Sequence, residues 1–178
     1  RWLVGMVACA INDEAQNHQL MLLHGAQGKG KSTFVRHLLP PELKDYYRNG
    51  MISPDNKDHL LQMSSCLLIN LDEFDTLSPA RMQELKSLIT QDVMNERKVY
   101  DIQNYTFIRR ASFIASTNNP HCLPDIGENR RILFNTLLEI DYHTPVNHQG
   151  IYAQAYALYQ QGFQYWYENQ EITFLNNR

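Results

Sequence analysis

Between Ile132 and Asn177 the chain has no lysine or arginine; its charges there are Glu139, Asp141, Glu168 and Glu171. Phosphate contacts need cations, so any nucleic-acid surface must lie before Ile132. The formal net charge of −3 also argues against a broad nucleic-acid-binding face. Long apolar runs are missing too, and none approaches the ~18 residues of a membrane span. Leu3–Ala10 behind Arg1 imitates a short secretion signal, but a strand pattern starts ten residues later, so a packed N-terminal helix is expected. Cysteine is scarce. Cys9, Cys66 and Cys122 are far apart and form no C-x-x-C pair, which reads as free thiols in a reducing, cytoplasmic compartment. The seven histidines lack ligand spacing, and the adjacent His121 and Cys122 are badly placed to share a zinc. There are no internal repeats or low-complexity linkers. With 178 residues, the chain has room for one α/β domain with its own core, spanning 1–178. It starts at Arg1 rather than methionine and is read as part of something longer.

What is present is concentrated in four places. Residues 25–32, Gly-Ala-Gln-Gly-Lys-Gly-Lys-Ser, fill every fixed position of the phosphate-binding pattern G-x-x-x-x-G-K-S. The apolar run Leu20–Leu23 precedes it as a strand, and Thr33–Leu39 follows as a helix. That strand–loop–helix setting is what the mechanism requires. Gly25, Gly28 and Gly30 let the backbone wrap an anion, with Ala26, Gln27, Lys29 and Thr33 completing the cradle. Lys31 is expected to reach the β- and γ-phosphates, and the Ser32 hydroxyl to ligate Mg²⁺.

The second signal is the strand-length run Cys66–Leu71, which ends in Asp72-Glu73. A carboxylate at the C-terminal end of such a strand faces the crevice where open α/β sheets bind ligands. Asp72 is the expected Mg²⁺ carboxylate, and Glu73 the base that polarises an attacking water. Asp75 stands close by in sequence. The third signal is Ala111–Asn118, an apolar strand that ends in polar residues; Asn118 would orient the lytic water or touch the γ-phosphate if its strand neighbours the P-loop strand. The fourth is Asp125–Arg131 before the apolar run Ile132–Phe134, where Arg130 and Arg131 can neutralise charge on a transferring phosphoryl group, in the same subunit or a neighbour.

Taken in order, the P-loop, Leu71-Asp72-Glu73, Glu84–Thr90, Arg110–Asn118 and Gly127-Glu128-Asn129-Arg130-Arg131 resemble the virulence-associated protein E family. That family is similar to superfamily 3 helicases within the AAA+ ATPases. The resemblance implies a nucleic-acid-dependent ATPase and DNA helicase, with ATP and Mg²⁺ as cofactors, serving replication of mobile elements or phage. It also implies a homo-oligomer, such as a hexameric ring, whose sites are completed by a neighbour's arginine (Arg130 or Arg131). Lys31, Ser32, Asp72, Glu73 and Asn118 would form the cis half. A primase-like domain often lies upstream in such proteins, and single-stranded DNA is the implied partner.

Superfamily 3 proteins also carry a DNA-gripping hairpin between the acidic strand end and the sensor strand. Here Ser78-Pro79 reads as a helix start, with Met82, Leu85 and Ile89 as its apolar stripe and an end near Thr90. Next come Arg97–Ile102 and Tyr105–Arg110, separated by Gln103-Asn104, which read as a hairpin. Arg97, Lys98, Arg109 and Arg110 are its candidate phosphate contacts, and Tyr100 or Tyr105 its stacking platforms. A solvated charged hairpin fits the same residues.

Near the C-terminus, Tyr152, Tyr156, Tyr159, Phe163 and Trp166 recur at spacings of four, three, four and three, one face of a helix over Ile151–Glu168 that is expected to pack against the domain. The expected fold is a three-layer α/β P-loop NTPase of AAA+ style with a mostly parallel five-stranded sheet. Its four assigned strands are Leu20–His24, Cys66–Leu71, Ala111–Ser116 and Arg131–Phe134, and Pro41–Ser65 shows no strong strand. Helices are expected at Trp2–Ile11, Ser32–Leu39, Pro79–Thr90 and Ile151–Glu168. Two other functions fit the same motifs: an ATPase switch or assembly module that does not translocate, and a small-molecule kinase with Arg130 and Arg131 in a lid.

Overall fold

The computed structural model describes residues 1–71, 74–97, 104–123 and 130–176. Its centre is a five-stranded parallel sheet made of β1 (Leu20–His24), β2 (Tyr47–Asn49), β3 (Leu68–Leu71), β6 (Ser112–Thr117) and β7 (Ile132–Thr136), in the order β2-β3-β6-β1-β7. Two further strands, β4 (Val93–Arg97) and β5 (Asn104–Ile108), form a separate antiparallel pair. The helices are α1 (Trp2–Ile11), α2 (Lys31–Arg36), α3 (Lys57–Ser65), α4 (Pro79–Thr90), α5 (His148–Gln160) and α6 (Asn169–Asn176).

Strand side chains alternate between faces, so the sheet sorts its apolar residues into two cores. One takes Leu20, Leu22, Ile69, Leu71, Phe113 and Ala115 against Leu60 and Met63 of α3 and Met82, Leu85 and Ile89 of α4. The other takes Leu23, Leu68, Ile114 and Leu133 against Trp2 and Met6 of α1, Val35 of α2 and Ile172 of α6. Parallel strands covered on both faces read as near-continuous apolar runs, which is the pattern of β1, β3 and β6. Each fully buried Leu, Ile or Phe contributes about 1.5–3 kcal/mol relative to exposure.

Several boundaries differ from the sequence expectation. The helix after the P-loop stops at Arg36, three residues short of Leu39. His37 and Leu38 close tighter turns onto Phe34 and Val35, and Pro40-Pro41 then forces the chain to extend. The segment Pro41–Ser65 does hold a strand: β2 forms the sheet's outer edge, pairing Tyr47 with Leu68, and α3 follows with Asn56 as its cap. The first hairpin strand starts at Val93, four residues before Arg97, because the chain extends directly from the end of α4 at Gln91. The aromatic helix α5 ends at Gln160 rather than Glu168. Gly162 adopts φ +72°, its N–H bonds Tyr159 O, and Phe163 N–H bonds Leu158 O, a closing motif that a glycine at this place favours. The α4 boundaries, Ser78 capping Arg81 N–H and Pro79 at the first position, match the expectation.

At the far edge, β7 is bordered by α6. The Asn176 side chain accepts from Phe134 N–H at 3.0 Å and donates to Ile132 O at 2.9 Å.

Candidate functional site

The P-loop leaves the C-terminal end of β1 and enters α2 at Lys31. Two of its glycines are needed for φ: Gly28 sits at +78° and Gly30 at +77°, left-handed conformations that side chains disfavour. Gly30 is crowded as well, since a methyl placed there would lie 1.9 Å from a ring carbon of Tyr142.

Lys31 is 8% exposed and spends all three ammonium donors. It donates to Gly25 O at 2.5 Å, Ala26 O at 2.9 Å and Asn118 Oδ1 at 2.8 Å. Burial pulls its pKa down, and the charge of Asp75 works in the opposite direction. The link to Asn118 follows from topology. β1 and β6 are neighbours with His24 opposite Thr117, so Asn118 leaves the sheet beside Gly25, and Gly25 N–H bonds Thr117 O at 3.2 Å. Asp75 braces this corner. Its carboxylate accepts from the Thr117 hydroxyl and, at 3.1 Å, from the Asn118 N–H. It sits in a single helical turn, Phe74–Thr76, whose Phe74 is buried in the core. A cleft of about 360 Å³ opens over Gln27–Thr33, walled by Ser116, Asn118 and Tyr142.

Asp72 and Glu73, the expected metal carboxylate and base, lie outside the described residues, directly after β3. Lys98 and Tyr100 lie outside them as well. Arg97 ends β4, opposite Asn104. Among the described residues no cluster of histidine, cysteine or carboxylate side chains could hold a metal alone. Ser32, next to Lys31 in the first turn of α2, is exposed and lines the cleft. A hydroxyl plus one strand-end carboxylate suits Mg²⁺, which keeps water and substrate phosphates for its remaining positions.

Arg130 and Arg131 lie at the other end of the sheet. Arg131 precedes β7 and its carbonyl accepts from Leu20 N–H at the start of β1. The strands are parallel, so roughly 13 Å of strand separates that end from the P-loop end. Both arginines line a second cleft of about 390 Å³ with His18, Tyr165 and Trp166.

The structure corrects two of the hairpin candidates. Arg109, expected to meet phosphates, is 3% exposed. Its guanidinium donates to Gln91 O at 2.8 Å, Ala111 O at 2.7 Å and Asn17 O at 3.3 Å, with Asp92 at 3.7 Å. Arg110 is half-buried and ties the end of α1 down, donating to Cys9 O at 3.2 Å, Ala10 O at 3.3 Å and Asp13 at 2.5 Å. Both arginines follow the end of β5 at Ile108, and their side chains turn back to the domain.

Sequence reasoning passed over two residues. The sequence marks Asp75 only as a neighbour of the acidic pair, although a carboxylate three residues past a strand-end aspartate is a usable sign. Tyr142 carried no sign, because Gly30 lies over a hundred residues away.

The profile of the virulence-associated protein E-like domain matches residues 1–178. The chain belongs to this family. No curated protein shows a significant match. Two solved apo structures of the NrS-1 C-terminal region are similar, with TM-scores of 0.56 and 0.54 at 17% and 16% identity. The matches cover 97% of this chain but 43% and 42% of those chains, so it spans less than half their length. At such identity the likeness is one of fold, an α/β domain of P-loop type. Among the described residues no helix is long and apolar enough to cross a membrane.

Proposed function

We propose that this virulence-associated protein E-like domain hydrolyses ATP with Mg²⁺ and couples the turnover to single-stranded DNA, as a subunit of a homo-oligomeric ring. The observation that carries the reading is the contact between Lys31 and Asn118 over the P-loop cleft. A lysine in a G-K-S loop joined to the polar end of the neighbouring strand is the cis half of a site that holds a γ-phosphate and the water attacking it. A phosphate oxygen entering the cleft replaces one of the three oxygens around Lys31, and Asn118 is then free to hold that water. Mg²⁺ bound by Ser32 and Asp72 would neutralise phosphate charge, while Glu73 takes the proton of the water. The position of Arg130 and Arg131 at the opposite end of the sheet supports a role on a neighbour's nucleotide and weighs against a lid over their own.

Steady-state ATPase with and without single-stranded DNA tests this. Turnover is expected to rise with DNA and with protein concentration, to fall on the order of 100-fold or more in Glu73→Gln with ATP affinity kept, and to lose its concentration dependence in Arg130→Ala or Arg131→Ala. Hydrolysis indifferent to DNA would favour a non-translocating switch, and phosphate transfer to a small acceptor a kinase.

A further inference from the structure

A second cleft adjoins the phosphate cradle, about 360 Å³ in volume. It shares Gly28, Lys29 and Tyr142 with the first and adds Glu139, Ile140 and His143 from the segment after β7. Tyr142 is the common wall. It lies against Gly30, which is why that position admits no side chain, and its ring centroid is 4.2 Å from that of His143. The segment is braced by Asp141, which accepts from His143 N–H and Thr144 N–H, both at 3.0 Å, and from the Thr144 hydroxyl at 2.6 Å. These bonds hold Tyr142 and His143 at the P-loop's flank. A nucleotide whose phosphates occupy the cradle must put its base and sugar somewhere next to it. This cleft shares Gly28, Lys29 and Tyr142 with the cradle and is lined by the Tyr142 and His143 rings and the Glu139 carboxylate.

We infer that the Tyr142–His143 segment is the nucleoside subsite, with the Tyr142 ring as the surface against which the base stacks. The inference rests on the proposed nucleotide site but assigns residues that the P-loop motif does not reach. It makes affinity for the nucleoside part separable from affinity for the phosphates.

Calorimetry with ATP and with inorganic tripolyphosphate, each with Mg²⁺, tests it on wild type, Tyr142→Leu and Tyr142→Phe. Leucine keeps bulk against Gly30 and loses the π face. ATP binding is expected to weaken about ten-fold in Tyr142→Leu, in line with the loss of one base–aromatic stack. Tyr142→Phe should match wild type, and in Tyr142→Leu tripolyphosphate affinity should fall far less than ATP affinity, its retention also showing that the variants are folded. If Tyr142→Leu binds ATP as wild type does, or loses ATP and tripolyphosphate in equal measure, the subsite is overturned while the phosphate site stands. If wild type binds neither ligand, the phosphate site fails and the subsite with it.

Discussion

Lys31 and Arg109 are both buried cations, each surrounded by backbone carbonyls, yet they sit in opposite kinds of surroundings. The carbonyls around Lys31 belong to the loop it comes from, its third acceptor is a side-chain amide, and the shell opens onto a cleft. The carbonyls around Arg109 come from Asn17, Gln91 and Ala111, three separate parts of the chain, with Asp92 beside them and Phe113 5.6 Å beneath the guanidinium. One shell is short-range and exchangeable; the other knots the base of the sheet together. A planar fork with five donors suits the second task, and a compact ammonium that can change partners suits the first.

The contrast is sharpest if each cation is deleted. Lys31→Ala is expected to lower ATPase kcat/KM by at least about 100-fold, as for loss of a donor to transferring charge, while the melting temperature falls less than in Arg109→Ala because water from the cleft can reach the freed oxygens. Arg109→Ala should cost about 3 kcal/mol, because it strands three carbonyls and Asp92. For a domain of this size that lowers the melting temperature by roughly 10 °C. Scanning calorimetry beside ATPase assays reads both, and a stable Arg109→Ala protein with lost turnover would reverse the assignment.

A smaller effect tests how firmly the exchangeable shell is oriented. Asp75 touches the Thr117 hydroxyl and the Asn118 N–H, so it positions Asn118 without reaching the cleft itself. Asp75→Ala is expected to cut kcat between roughly 10- and 100-fold while KM changes little, as misplacement of a positioned group does. A rise in KM with kcat intact would mean that Asp75 serves nucleotide binding through the charge it presents to Lys31.

The smallest effect concerns the hairpin. With Arg109 and Arg110 committed to the domain, Arg97 and Lys98 are what remains of the four candidate DNA contacts. Arg97→Ala with Lys98→Ala should reduce the salt-dependence slope of single-stranded DNA binding by up to about 1.4. DNA-independent ATPase should be unchanged. An unaltered slope would make the hairpin a solvated surface.

The same contrast explains what could be read from the sequence. The P-loop, its flanking strand and helix, and α4 from Ser78-Pro79 to Thr90 are governed by local rules, so their residues announce them. Asn118 could be placed by the order of strand ends. Arg109 could not, since its partners at 17, 91 and 111 come together only in the folded sheet. β2 escaped notice because Tyr47-Arg48-Asn49 is short, polar and at the edge, where a strand has little apolar face to show. The aromatic period through Phe163 and Trp166 concealed the end of α5, although Gly162 within it was a stop signal that outweighs periodicity.

Asn176 has a consequence for how copies of this domain can meet. Its amide offers one acceptor and one donor to β7 in the spacing a neighbouring peptide would use, so the last strand already has a partner over Ile132–Phe134. An open strand edge invites another chain to add on and the sheet to grow without limit. With that part of the border occupied by a side chain, and the opposite border formed by a strand only three residues long, sheet-to-sheet polymerisation is discouraged. In a ring of the kind proposed, contacts between subunits would then fall away from the sheet's two borders, an arrangement that can close on itself.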